Sequence, residues 1–247
     1  MSDFKVIVLA AGKGTRMRTE GVDLPKVMRT ALGRPLLSYV LDALPIKEKE
    51  DVIIVVGYKK EAVMDGFAGY TFAEQREQLG TGHAVRSAVP ALGDFKGSVL
   101  ICCGDMPLVT CESYKSVIEK HIETDSDCTV LAGRIDDPKG YGRVLTTPDG
   151  AFLRIVEERD CTEDQRAIKE VNSGIYVIKA EKLISALDEL RTDNAQGEYY
   201  LTDVPEIMSR RGDKVNVCTR DVSNELIGVN TPEQLASVEA ILCGRGI

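Results

Sequence analysis

The sequence predicts an α/β fold: a mixed, mostly parallel sheet flanked by helices. Two observations carry that expectation. Short apolar, β-branched runs alternate with amphipathic stretches through the first two-thirds of the chain. The first and third of these runs also end in small or acidic turn residues, where ligands bind in open parallel sheets.

Phe4–Leu9 reads as a buried strand and leads into glycines. Pro35–Leu44 is amphipathic and helical, Asp51–Val56 is a second β-branched run stopped by Gly57, and helical residues follow from Lys59 to about Phe67. His83–Leu92 predicts a helix, Ser98–Cys103 a third strand ending in Gly104-Asp105, and Glu112–Glu123 another helix. Beyond residue 127 the rhythm changes. Cys128–Arg134, Arg143–Thr146, Phe152–Glu157 and Val171–Ile178 read as strands separated by turn residues. Glu181–Leu190 and Val204–Arg211 predict helices, Val215–Thr219 a strand, and Thr231–Leu242 a last helix with Pro232 in its first turn. No repeat or low-complexity linker interrupts this order. The expectation is one domain over 1–247, with a nucleotide-binding part over about 1–125 and a sugar-side lobe over about 126–230.

Composition narrows the function. The chain has 247 residues, 43% of them hydrophobic, enough for a sizeable core. Its net charge is −8, which disfavours nucleic acid as a partner. Residues 1–35 reverse that sign, with Lys5, Lys13, Arg16, Arg18, Lys26, Arg29 and Arg34 against Asp3, Glu20 and Asp23. A local positive excess in an acidic protein suits a small anion. Seven cysteines without a Cys-x-x-Cys pair, and only two histidines, offer no zinc spacing. Reduced thiols and a cytoplasmic location are expected, with no membrane partner. The N-terminal apolar run is too short for a signal peptide.

The first loop, Leu9-Ala10-Ala11-Gly12-Lys13-Gly14-Thr15-Arg16-Met17, turns backbone N–H groups inward around an anion. It is not a dinucleotide fingerprint, because Met17 stands where the third small residue belongs, and no Gly-Lys-Ser/Thr makes it a P-loop. Two glycines alone read equally as a plain turn. Asp23-Leu24-Pro25-Lys26 shifts the balance: Pro25 fixes its own φ and biases Leu24 to an extended form, which aims Lys26 at the loop. A lone lysine is otherwise a solvated one. Further on, Gln75 precedes Leu79-Gly80-Thr81-Gly82-His83, where glycines allow a flat ring to approach and the glutamine can read its edge. The plain alternative is a helix start with Thr81 or Gly82 near the N-cap. Asp105, in Cys103-Gly104-Asp105-Met106-Pro107, follows a buried strand and suits Mg²⁺, which takes few carboxylates beside phosphate oxygens and water. Its plain alternative is a turn aspartate before proline.

Together, LAAGKGTRM and LPK resemble the signature of sugar-nucleotide pyrophosphorylases. QLGTGHA, CGDMP, Gly140-Tyr141-Gly142-Arg143-Val144, Ile155-Val156-Glu157-Glu158, Val171-Asn172-Ser173-Gly174, NAQGEYYLTD and Gly228-Val229-Asn230 resemble, in order, the uridylyltransferase domain of the bacterial N-acetylglucosamine-1-phosphate uridylyltransferases. The resemblance runs from about residue 4 to about residue 240. It implies a Rossmann-like nucleotidyltransferase fold and Mg²⁺-dependent transfer of uridylyl from UTP to a sugar 1-phosphate, N-acetylglucosamine 1-phosphate. It assigns Leu9, Ala10, Ala11 and Gly12 to the nucleotide, Gln75, Gly80 and Thr81 to uracil, and Arg16 and Lys26 to the phosphates as catalytic residues. It assigns Asp105 and Asn230 to the metal, and Gly142, Glu157 and Asn172 to the amino sugar.

Two departures stand out. The stretch from Arg16 to Lys26 is longer than in some relatives, and Cys103 replaces an aromatic residue that some carry. Bifunctional relatives continue into a hexapeptide-repeat β-helix; without such repeats, acetyl transfer is not expected here. Two alternatives remain open: a pyrophosphorylase for another sugar or base, and a regulator that binds nucleotide sugars without turnover.

Overall fold

A computed structural model describes residues 3–14, 24–46 and 48–246. Arg16, one of the expected phosphate ligands, lies outside them.

In chain order the strands and helices are β1 (Phe4–Leu9), β2 (Thr30–Ala31), β3 (Arg34–Pro35), α1 (Leu36–Ala43), β4 (Val52–Val56), α2 (Lys60–Gly66), β5 (Thr71–Glu74), α3 (Thr81–Leu92), β6 (Ser98–Cys103) and α4 (Cys111–Glu123). Then come β7 (Cys128–Arg134), β8 (Arg143–Thr146), β9 (Phe152–Val156), α5 (Glu163–Arg166), β10 (Glu170–Lys179), α6 (Ala180–Leu187), α7 (Asp203–Arg210), β11 (Val215–Arg220) and α8 (Pro232–Gly244). The expected elements are present with every end within three residues of the expected one. β5, α5 and the β2–β3 hairpin, with four residues or fewer in each element, are additional to the expected ones.

Nine strands form one sheet in the order β11-β7-β10-β6-β1-β4-β5, with β8 and β9 branching from β10. β5, β4, β1 and β6 run parallel, and so do β7 and β11. β10 lies antiparallel between β6 and β7 and joins the two parallel blocks.

Alternation along the strands builds two cores. On β1, Ile7 faces one side with Ile53, Val55 and Ile101, covered by Val85 of α3, Leu183 of α6 and Val204 of α7. Val6 and Val8 face the other side with Ile54 and Leu100, covered by Leu37 and Val40 of α1, Val63 of α2 and Val117 of α4. β4 is buried along its whole length, as expected for a parallel strand covered on both faces. A smaller cluster seats α8 through Val238 and Leu242 on Ala31, Leu36 and Tyr39. Among the described residues, no helix is long and apolar enough to cross a membrane.

One buried polar group makes stability depend on pH. His121 is 4% exposed, and its ring nitrogens bond Ser98 Oγ at 2.9 Å and Thr129 Oγ1 at 3.1 Å. Burial, reinforced by the Lys179 charge, pulls its pKa down to about 4 from 6.5, against the opposing pull of Asp127 and Asp125. The unfolded chain takes up this proton at higher pH than the folded one. Stability is therefore fully present above the unfolded value and drops as pH falls towards the folded one. The expected loss between pH 7 and pH 4.5 is on the order of 2 kcal/mol after allowing for screening. Urea unfolding at the two pH values checks this. The wild-type decline should exceed that of His121→Asn, and equal declines would remove the role of His121.

Candidate functional site

A cavity of about 280 Å³ opens at the carboxyl ends of β1 and β6. Leu9, Ala10, Ala11 and Gly12 line one wall, Gln75, Gln78, Gly80, Thr81 and Ala84 another, and Lys26, Val27, Cys103, Asp105 and Glu198 complete it. Residues far apart in sequence meet here because parallel strands deliver their loops to one edge.

The first wall continues β1. Ala10 N–H is committed to Val55 O at 2.9 Å, so Ala10 offers surface to a ligand and no backbone donor. Gly14 has φ +59°, and a Cβ there would sit 2.8 Å from Cβ of Lys26. Glycine is what lets the Lys26 backbone pass this close. Pro25, at φ −55° and ψ 148°, sets up the short 3-10 turn Lys26–Met28 that presents the lysine.

Lys26 pairs with Asp105 and donates to Asn230 Oδ1 at 2.7 Å. Both side chains of the ion pair are largely buried, at 13% and 20% exposed. The three residues come from three separate loops. Gly104 N donates to Leu9 O at 2.9 Å, which extends the β1–β6 ladder and fixes the start of the Asp105 turn. Val229 N donates to Asp105 O at 3.0 Å, which ties the last loop to it. The start of α8 then orients Asn230: Thr231 caps the helix, and Gln234 Oε1 accepts from Asn230 N at 2.7 Å. Among the described residues no three His, Cys, Asp or Glu side chains cluster as metal ligands. One carboxylate and one amide oxygen around a cationic point still form a set suited to a hard cation that draws its other ligands from phosphate and water.

On the second wall, Gly80 has φ +111°, and a Cβ there would lie 2.5 Å from Tyr199 O. No other residue fits that contact without moving the 197–202 loop. Gly80 caps α3, and Thr81 Oγ1 accepts from Leu201 N at 3.0 Å. A helix does start here, with Thr81 and Gly82 next to its cap, and the Thr81 hydroxyl in addition anchors the 197–202 loop. Gln75 is 4% exposed and donates through Nε2 to Gly80 O at 3.0 Å.

Gly142, Glu157 and Asn172 assemble beside this cavity but do not line it. Asn172 N donates to Gly142 O at 2.9 Å, and a Cβ on Gly142 would lie 3.6 Å from Glu157 Oε2. Asn172 sits at a bulge in β10. Its Oδ1 accepts from Gly174 N at 3.2 Å and its Nδ2 donates to Tyr176 OH at 2.8 Å. Burial raises the pKa of Glu157, partly offset by the bond from Thr202 Oγ1 at 3.0 Å. Next along the chain, Asp203 is pushed up to about 6 by burial and by Glu206 and Glu157. Cys103 stands between the two groups: it lines the cavity, and its Sγ lies 3.4 Å from where a Gly174 Cβ would be.

Gln78, Glu198, Thr202 and His83 were not singled out from sequence. The only available signal was their place inside QLGTGHA and NAQGEYYLTD, and those motifs do not say which members point inward.

Residues 6–202 match the model of the MobA-like NTP transferase domain. The chain belongs to the MobA-like NTP transferase domain family. The bifunctional protein GlmU of Streptococcus suis (strain 98HAH33) is 42% identical to it over 246 residues, 99% of this chain and 53% of that protein. The bifunctional protein GlmU of Streptococcus gordonii is 43% identical over 240 residues, 97% of this chain and 52% of that protein. The chain thus spans about half the length of these relatives. A solved UDP-glucose pyrophosphorylase complexed with UDP-glucose superposes with a TM-score of 0.76 at 15% identity, covering 98% of each chain. A Bacillus anthracis structure named as a glucose-1-phosphate thymidylyltransferase gives 0.73 at 20% identity, covering 96% of this chain and 94% of that one. The expected Rossmann-like nucleotidyltransferase fold is the fold of this NTP transferase domain.

Proposed function

We propose that this NTP transferase domain transfers the uridylyl group of UTP to N-acetylglucosamine 1-phosphate, giving UDP-N-acetylglucosamine and pyrophosphate. The convergence of Lys26, Asp105 and Asn230 at the mouth of the cavity carries the reading. Forty-odd percent identity to GlmU proteins across the chain supports the choice of substrates.

In this reading residues 1–125 hold the nucleotide and 126–230 the sugar. Leu9, Ala10, Ala11 and Gly12 pack against the nucleoside, and Gln75, Gly80 and Thr81 face the base. Gly142, Glu157 and Asn172 meet the amino sugar. Glu157 accepts from a sugar hydroxyl, and Asn172 presents its amide from the β10 bulge. Lys26, together with Arg16, meets the phosphates.

An oxygen of the sugar phosphate attacks the α-phosphorus, a new P–O bond forms, and the α–β bridging oxygen leaves with pyrophosphate. The nucleophile is already an anion, so no strong base is needed. The protein has to bring two anions together and stabilise the departing one. Lys26 supplies a fixed positive charge for this, in a site partly shielded from water. Mg²⁺ is the cofactor of this reading, and Asp105 and Asn230 fit it as one charged and one neutral oxygen donor. When bound, it supplies charge neutralisation across the phosphates.

The test is pyrophosphate release from UTP with N-acetylglucosamine 1-phosphate, with and without Mg²⁺, beside glucose 1-phosphate and the other triphosphates. Metal-dependent release that prefers the named pair is expected. Preference for another pair would correct the substrate, and no release from folded protein would overturn the reading. Cys103 favours one second reading. Its small side chain between the two groups leaves room for a different sugar 1-phosphate.

A further inference from the structure

Gln75 shows how the site selects a base. Its Nε2 carries two hydrogens, and two protein acceptors face that atom: Gly80 O at 3.0 Å and His83 Nδ1 at 3.2 Å. The carbonyl of Gly80 can only accept, so the amide nitrogen must lie on this side; a turned amide would set oxygen against oxygen. His83 Nδ1 then accepts the second hydrogen, which places the ring proton on Nε2. Tyr199 backs the imidazole, with ring centroids 6.4 Å apart and 30° between planes. Among the described residues no donor bonds Gln75 Oε1, while Gln75 itself is buried and lines the cavity. With both hydrogens used inside the protein, the amide shows a ligand only an acceptor.

We infer that His83 is a positioning residue for base selection. By accepting from Gln75 Nε2, it locks Oε1 as a fixed acceptor, so the site takes a pyrimidine with a ring N–H at that edge. A base with a lone pair there meets the amide acceptor to acceptor. This inference rests on the uridylyltransferase reading and adds the residue that enforces its base choice. His83 touches no reacting atom and acts through Gln75. Without it, one Nε2 hydrogen loses its partner and the amide is held by Gly80 alone.

UTP and CTP make the comparison, because they match in size and differ at ring N3 between N–H and lone pair. Equilibrium binding of each is measured by calorimetry on wild type, His83→Phe and His83→Asn, with thermal melts, and steady-state KM and kcat are taken with UTP. Phenylalanine keeps a ring against Tyr199 but has no acceptor. Asparagine restores an acceptor near the Nδ1 position. Wild type should prefer UTP. His83→Phe should narrow that preference by about tenfold, the scale of one mispaired buried hydrogen bond, with the change in KM and not in kcat. His83→Asn should restore most of it. An unchanged preference in His83→Phe, or equal narrowing in both variants, would overturn the role of His83. A wild type that binds CTP as well as UTP would overturn the clamp while leaving nucleotidyl transfer standing. A wild type that binds neither would overturn the uridylyltransferase reading and the clamp with it. If His83→Phe does not fold, His83→Leu replaces it with the same outcomes.

Discussion

Lys26→Ala should lower kcat by roughly 10²–10³-fold, the scale of losing one preorganised charged contact to a developing oxyanion. The loss should fall on kcat more than on KM for UTP, because charge builds on the departing pyrophosphate as the bond breaks. The fold should survive. Lys26 sits in a three-residue turn at the mouth of the cavity, and the two main cores do not use its side chain. The variant does leave Asp105 without its counter-ion, so a stability change of about 1 kcal/mol is expected. Lys26→Arg keeps the charge but replaces a compact ammonium, 13% exposed between Asp105 and Asn230, with a larger planar group, so partial activity is expected. Stopped-flow single turnover separates the chemical step from product release. A wild-type single-turnover rate in folded Lys26→Ala would remove the lysine from the mechanism.

Asp105→Ala should be as damaging, at roughly 10²–10³-fold in turnover, for a different reason. The carboxylate is the one charged oxygen donor of the proposed metal pair, and without it Asn230 offers only a neutral oxygen. Asp105→Asn separates charge from shape. It keeps an oxygen for Lys26, and its backbone carbonyl still accepts from Val229 N. Folding should be retained while the Mg²⁺ concentration for half-maximal rate rises. A Mg²⁺ dependence identical to wild type in Asp105→Asn would take Asp105 out of the metal site.

Much of the fold was legible because its signals are local. β1, β4 and β6 are apolar runs closed by glycine or aspartate, and α8 announces itself through Thr231 and Pro232. β5 was not legible: it is a four-residue edge strand whose only buried residue is Ala73, so neither alternation nor an apolar run marks it. The hairpin of β2 and β3 has two residues per strand, too short to carry a period. Direction was hidden as well. Ile175–Ile178 of β10 is a continuous buried apolar run like those of the parallel strands, yet it runs antiparallel to β6 and β7.

The site divides in the same way. Gly12, Gly80-Thr81 and Gly104-Asp105 are contiguous turns at strand or helix ends, so residue type and spacing point to them. The contacts that orient the side chains are long-range. Lys26 meets Asn230 across 204 positions, Glu157 meets Thr202 across 45, and Leu201 meets Thr81 across 120. Even the short step from Gln75 to His83 goes unnoticed, because a histidine in the first turn of a helix has no sequence mark that distinguishes an orienting acceptor from a surface residue.

The most direct test of the central claim is ³¹P NMR of UTP, N-acetylglucosamine 1-phosphate and Mg²⁺ with the enzyme, because it distinguishes transfer from hydrolysis. Direct attack on the α-phosphorus predicts that the sugar phosphate signal falls while free pyrophosphate and a paired diphosphodiester signal grow in equal amounts. Growth of inorganic phosphate or uridine nucleotides with the sugar phosphate left intact would contradict it.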